Sequence, residues 1–102
     1  MASLRWDRLL ETCDRRNASD LLLTPGSPPV IRLAESWRTL EAPAVAAPDI
    51  EAVINERLNA TPDGQADGHA YWAFRHGRKA QWRAMAFGYP STTVLLISRH
   101  PV

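Results

Sequence analysis

Lys79-Ala80-Gln81-Trp82-Arg83-Ala84-Met85-Ala86-Phe87 alternates small or apolar residues with larger and polar ones. A period of two places Ala80, Trp82, Ala84 and Ala86 on one face of a strand. Gln81, Arg83, Met85 and Phe87 fall on the other. Upstream, Ala70 to Arg75 is an aromatic-rich strand candidate, joined through a turn at His76-Gly77-Arg78. Downstream, Gly88-Tyr89-Pro90-Ser91 is a second turn. Thr93 to Ser98 then forms a β-branched, apolar final strand suited to the middle of a sheet. Strands joined by turns this short pair antiparallel, so the fold class is α+β, provided helices occupy the remaining half.

That half supplies them. Trp6, Leu9, Leu10 and Cys13 recur at i, i+3, i+4 and i+7, one face of a helix that runs to about Arg16. Ser3 is placed to cap it, and Asn17 suits the left-handed residue that ends it. Arg5, Arg8, Glu11, Thr12 and Arg15 lie elsewhere around the cylinder and should meet water. Asp20 to Thr24, with three successive leucines before Pro25-Gly26-Ser27-Pro28-Pro29, reads as a buried strand. Val30 to Ala34 is a second strand. Trp37 to Leu40 is a third, or a continuation after a bend at Glu35-Ser36. A second amphipathic helix carries Ile50, Val53, Ile54 and Leu58, with Pro48 at its first position and Asn59 and Pro62 stopping it. Thr61 to Gly68 is a polar loop. The expected order is α-β-β-(β)-α-β-β-β, an antiparallel sheet with two helices on one face, and residues 1–102 form one domain.

The totals agree. A chain of 102 residues with 45% hydrophobic and 23% charged residues is ordinary globular material. A net charge of +1 provides no general attraction to nucleic acid or membrane. Cys13 is the sole cysteine, which excludes an internal disulfide and a Cys-rich zinc site. No secretory signal and no run of roughly 20 apolar residues is present, so the expected location is the cytoplasm, without membrane insertion.

No catalytic or metal-binding constellation emerges. Glu51, Glu56, Asp63 and Asp67 are surface-type acids, and His69, His76 and His100 fall in separate turns and strand ends. Arg75, Arg78, Lys79 and Arg83 surround a turn close to Trp72, Phe74 and Trp82, a composition that can stack nucleic-acid bases. The alternative is that the aromatics alternate into the core while the cations solvate the turn, and the near-neutral total favours it.

Three blocks carry a family resemblance. Asn17-Ala18-Ser19-Asp20-Leu21, followed by Gly26, Pro28-Pro29 and Ile31-Arg32, resembles the opening signature N-A-S-D-L-H-L-x-x-G-x-P-P-x-x-R of PilT-type secretion and pilus-retraction ATPases. Trp82-Arg83-Ala84-Met85-Ala86-Phe87 resembles the family's R-F-R-x-N-x-F strand. Val94 to Ile97 with Ser98-Arg99-His100-Pro101 is similar to its closing segment. The blocks stand in the family's order and nearly at its spacing, across essentially the whole chain.

The resemblance implies a PAS-like N-terminal domain, which in the family packs against an ATPase core. The phosphate-cradling G-x-x-x-x-G-K-[ST] is absent from residues 1–102, so hydrolysis by the family's route is not expected, nor is any cofactor. The family's histidine after Ser-Asp-Leu is Leu22 here. Gln81 replaces the first arginine of the arginine strand, and Met85 its asparagine. The expected role is a protein-interaction module docking on a pilus or secretion ATPase core or related machinery. Arg83, Arg32 and Arg99 are the candidates for polar or nucleotide-proximal contacts, and Ser19, Asp20, Gly26, Pro28 and Pro29 the motif residues that shape the surface. The alternative is a PAS-like small-molecule or nucleotide sensor lined by the four tryptophans. Oligomeric state is left open.

Overall fold

The first helix, α1 (Trp6–Arg15), is amphipathic and buries Trp6, Leu9, Leu10 and Cys13. Asp7 in its first turn and Arg15 in its last complement the helix dipole. Its N-cap position is Arg5, which makes no side-chain cap, and Ser3 lies outside the described residues. At the other end Asn17 adopts φ 58°. The Asn17 amide donates to Asp14 O (3.2 Å) and the Ala18 amide to Cys13 O (2.8 Å). These paired bonds are the Schellman termination, which needs a left-handed residue where asparagine stands.

The computed structural model describes residues 5–58, 62–66, 68–76, 80–89 and 94–101. After α1 come β1 (Asp20–Leu23), β2 (Val30–Leu33), β3 (Ser36–Thr39), α2 (Ala47–Glu56), β4 (Gly64–Ala66), β5 (His69–Arg75), β6 (Ala80–Phe87) and β7 (Val94–Pro101). The strands form one antiparallel sheet in the order β3-β2-β1-β7-β6-β5-β4, with the final strand in the middle, as its composition predicts. The fold is α+β, with helix, strands, helix and strands in the expected succession.

The structure selects one of two sequence readings and departs from another. Trp37 and its neighbours form a separate edge strand, reached by a tight turn in which Ala34 takes φ 53°. Within the expected polar loop, Gly64–Ala66 pairs with β5 as a further edge strand. Nothing in Gly-Gln-Ala alternates. The segment is a strand because the free edge of β5 offers unpaired backbone groups. The turn candidates at Gly77-Arg78 and Pro90-Ser91 lie outside the described residues.

α2 places Pro48 in its first turn, and the Asp49 carboxylate accepts from the Ala46 amide (3.0 Å), satisfying a donor at the helix start. Ile50, Val53, Ile54 and Leu58 are buried, as their spacing predicts.

Pairing partners in an antiparallel sheet share a face, so register sorts every strand residue. Ile31, Leu21, Ile97, Ala84 and Trp72 lie in one cross-strand row, and Leu23, Leu95, Ala86 and Ala70 in the next. All are buried and share one core with both helices. Trp82 sits beside them, its Nε1 donating to His76 O (3.0 Å) and its ring stacked on Phe74. The opposite face carries no described helix.

Candidate functional site

The motif residues divide between the two faces. Arg99 shares the parity of Leu95 and Ile97 and turns toward the end of α1. Its Nε donates to Ala18 O (2.9 Å), Nη1 to Asp14 Oδ1 (3.0 Å) and Nη2 to Asn17 Oδ1 (2.6 Å). The side chain is only 10% exposed. Every guanidinium nitrogen is thus committed to the Schellman turn, and Arg99 acts as a clamp between β7 and α1.

Gly26, Pro28 and Pro29 build the loop between β1 and β2. Gly26 takes φ 83°, its amide donates to Val45 O (2.8 Å), and the Val45 amide donates back to Ser27 O (2.8 Å). Pro29 is fully buried, and its carbonyl accepts from the Leu40 amide (2.9 Å). The loop therefore pins the connector that leads into α2. A glycine is required there because an L side chain is strained at that φ.

Arg32, Asp20, Ser98 and Arg83 form one row on the outer face, each opposite the next across β2, β1, β7 and β6. Asp20 Oδ1 accepts from Ser98 Oγ (2.7 Å) and Oδ2 from Ser19 Oγ (2.9 Å). Arg32 stands 4.0 Å from Asp20 and lies over the exposed Trp37 ring, 5.8 Å from its centroid. Arg83 is exposed, and among the described residues it has no hydrogen-bond or ion-pair partner. Three strand spacings separate Arg32 from Arg83, about 14 Å. The structure thus brings Arg32 and Arg83 onto one surface and assigns Arg99 to another.

The adjacent row was not legible in the sequence. Val30, Leu22, Leu96, Met85 and Tyr71 align across β2, β1, β7, β6 and β5. The first four are half-buried, and Tyr71 is 44% exposed. Tyr71 stacks over Gly64, where any Cβ would collide with the ring, so the glycine makes room for it. Leu22 and Met85, the two positions at which apolar residues replace the motif's histidine and asparagine, flank Leu96 in this row. Their departure from the pattern was visible in the sequence; their adjacency required the register.

The other sequence candidates are placed elsewhere. Trp72 and Trp82 are buried and Phe74 half-buried, so the aromatics near the β5–β6 turn fill the core. Of the surrounding cations, Arg78 and Lys79 lie outside the described residues. Among the described residues, no group of three His, Cys, Asp or Glu side chains could hold a metal ion. Among them also, no helix is long and apolar enough to cross a membrane.

No protein-family model matches the sequence. No curated protein matches it either. Solved structures do. The crystal structure of the pilus retraction motor PilT with bound ADP superposes with a TM-score of 0.65 at 18% identity, covering 94% of this chain and 29% of that one. The chain has a PilT-type fold. The X-ray structure of the Legionella pneumophila ATPase DotB superposes with a TM-score of 0.60 at 17% identity, covering 100% of this chain and 30% of that one. The PilT-type fold thus corresponds to about 30% of each neighbour's length, and at these identities the likeness is one of fold.

Proposed function

We propose that this chain is a non-catalytic, cytoplasmic protein-interaction domain, equivalent to the N-terminal domain of a PilT-type ATPase, that docks on the ATPase core or another component of a pilus or secretion machine. The observation that carries the reading is the outer face of the sheet, which bears no described helix and sets a continuous apolar row beside two arginines. Monomeric domains seldom leave such a surface bare without using it. The fold likeness to parts of two ATPases supports the choice of machine, and the absence of a phosphate loop from residues 1–102 supports the non-catalytic role.

The test is cross-linking mass spectrometry of the tagged chain in its native cell, followed by reconstitution with the captured component. The expected result is a stoichiometric complex with a motor or envelope-assembly protein, while the purified chain alone hydrolyses no ATP. Recovery of no such component, or hydrolysis by the chain itself, would sink the proposal.

A further inference from the structure

The outer face differs from an ordinary solvated sheet surface in three respects. Its central row is apolar over five strands, about 19 Å from Val30 to Tyr71. Phe87 and Val94, paired with each other on the same face, widen it on one side. Among the described residues the two exposed large hydrophobics, Trp37 and Tyr71, stand on this face toward its opposite edges. Such exposed aromatics are the residue types that dominate binding energy at protein interfaces.

The charge pattern selects the occupant. On this face the arginines and carboxylates of the described strand residues are Arg32, Arg75 and Arg83 against Asp20 alone, which stands 4.0 Å from Arg32 and accepts from Ser19 and Ser98, so arginines remain in excess by two. A second copy of the chain, packed face to face, would oppose this arginine excess with another. Desolvating unpaired like charges at an interface is costly. An anionic membrane would satisfy the arginines. However, the aliphatic residues of the row are half-buried, so only Trp37 and Tyr71 stand out from the face, and they lie toward its opposite edges with no contiguous apolar ridge between them to enter lipid. A protein surface with an apolar ridge and carboxylates along one flank satisfies both features.

We infer that the outer face of the sheet binds an amphipathic helix of a partner protein, its apolar stripe seated on Leu22, Leu96 and Met85 and its acidic flank facing Arg32 and Arg83. The inference rests on the interaction-module reading and specifies the chemistry of the partner. The row accommodates about 13 helical residues at the usual rise per residue.

The test uses defined probes, so its outcome is separable from whether a motor component is ever captured. The probes are a stapled 14-residue helix with a leucine stripe and glutamate flanks, the same helix with lysine flanks, and vesicles of phosphatidylglycerol. Binding to the isotope-labelled chain is followed by chemical-shift perturbation and titration. The glutamate-flanked helix is expected to perturb Leu22, Leu96, Met85 and Arg83. It should bind about tenfold more tightly than the lysine-flanked one, the effect of one well-placed charge pair. Arg83→Glu should reverse the preference; it is a surface change that leaves the fold intact. Met85→Gln should weaken both helices.

Equal affinity for the two helices, perturbations confined to another surface, stronger attachment to vesicles than to the helix, or self-association through this face would each overturn the inference.

Discussion

Replacing Arg99 by alanine is expected to destabilise the fold by about 3 kcal/mol, because the clamp it forms has three separable parts. The bond to Ala18 O is the largest. Ala18 is fully buried, and loss of a charged donor to its carbonyl costs about 2 kcal/mol. The bond to Asn17 Oδ1 helps hold a residue at φ 58° and contributes about 1 kcal/mol. The pair with Asp14 adds little, since that carboxylate is 45% exposed and screened by solvent. Lysine cannot reproduce the fork, so Arg99→Lys should recover only about 1 kcal/mol of the loss. Urea denaturation followed by circular dichroism measures this directly. At a slope of about 1.5 kcal/mol/M, the alanine variant should melt about 2 M earlier. Asn17→Gly keeps the left-handed turn while removing the amide, so a double-mutant cycle with Arg99→Ala should show coupling of about 1 kcal/mol. A loss below about 0.5 kcal/mol, the range of ordinary surface substitutions, would refute the clamp and return Arg99 to the pool of partner-facing arginines.

Three further outcomes are expected. Ala34→Gly should stabilise the protein by about 0.5–1 kcal/mol, because relief of a left-handed alanine outweighs the added freedom of the unfolded chain; a lower melting temperature would contradict this. Trp82→Phe should cost about 2 kcal/mol in chemical denaturation through the lost bond to His76 O and the smaller ring. Burial raises the Cys13 thiol from its ordinary pKa of 9.0 to about 11, the nearby Arg99 charge opposing the rise only in part. The native state therefore holds its proton where the unfolded chain releases it. The thiol's contribution is full below about pH 9 and should fall by up to about 2 kcal/mol as pH rises toward 11. The difference in stability between the wild type and Cys13→Ala across that window isolates it, and a flat difference would show the thiol not to be linked to folding.

The parts of the fold legible in the sequence were those with a strong local period. The α1 stripe at Trp6, Leu9, Leu10 and Cys13, the α2 stripe, and the alternation through Trp82, Ala84 and Ala86 all describe faces that became buried. β4 was missed because Gly64-Gln65-Ala66 has no pattern of its own and is a strand only through its neighbour. A separate third strand and a bent continuation of the second both fit the sequence, because Ala34 does not announce a turn as glycine would. At the candidate site, the motif named Arg32, Arg83 and Arg99 without separating them. Parity puts two on the outer face, and pairing with the α1 terminus takes the third inside.

The sequence by itself determined the two helices and the strands with a strong local period, and which side of each is apolar, because a period of two or 3.6 is a local property of the chain. It also contained the apolar replacements at Leu22 and Met85. Only the tertiary structure decided that these two residues stand on either side of Leu96, since β1, β6 and β7 are far apart in the chain and their register is set by long-range pairing. The same long-range pairing turned one arginine of the motif into a clamp and left another, Arg83, exposed beside an apolar row.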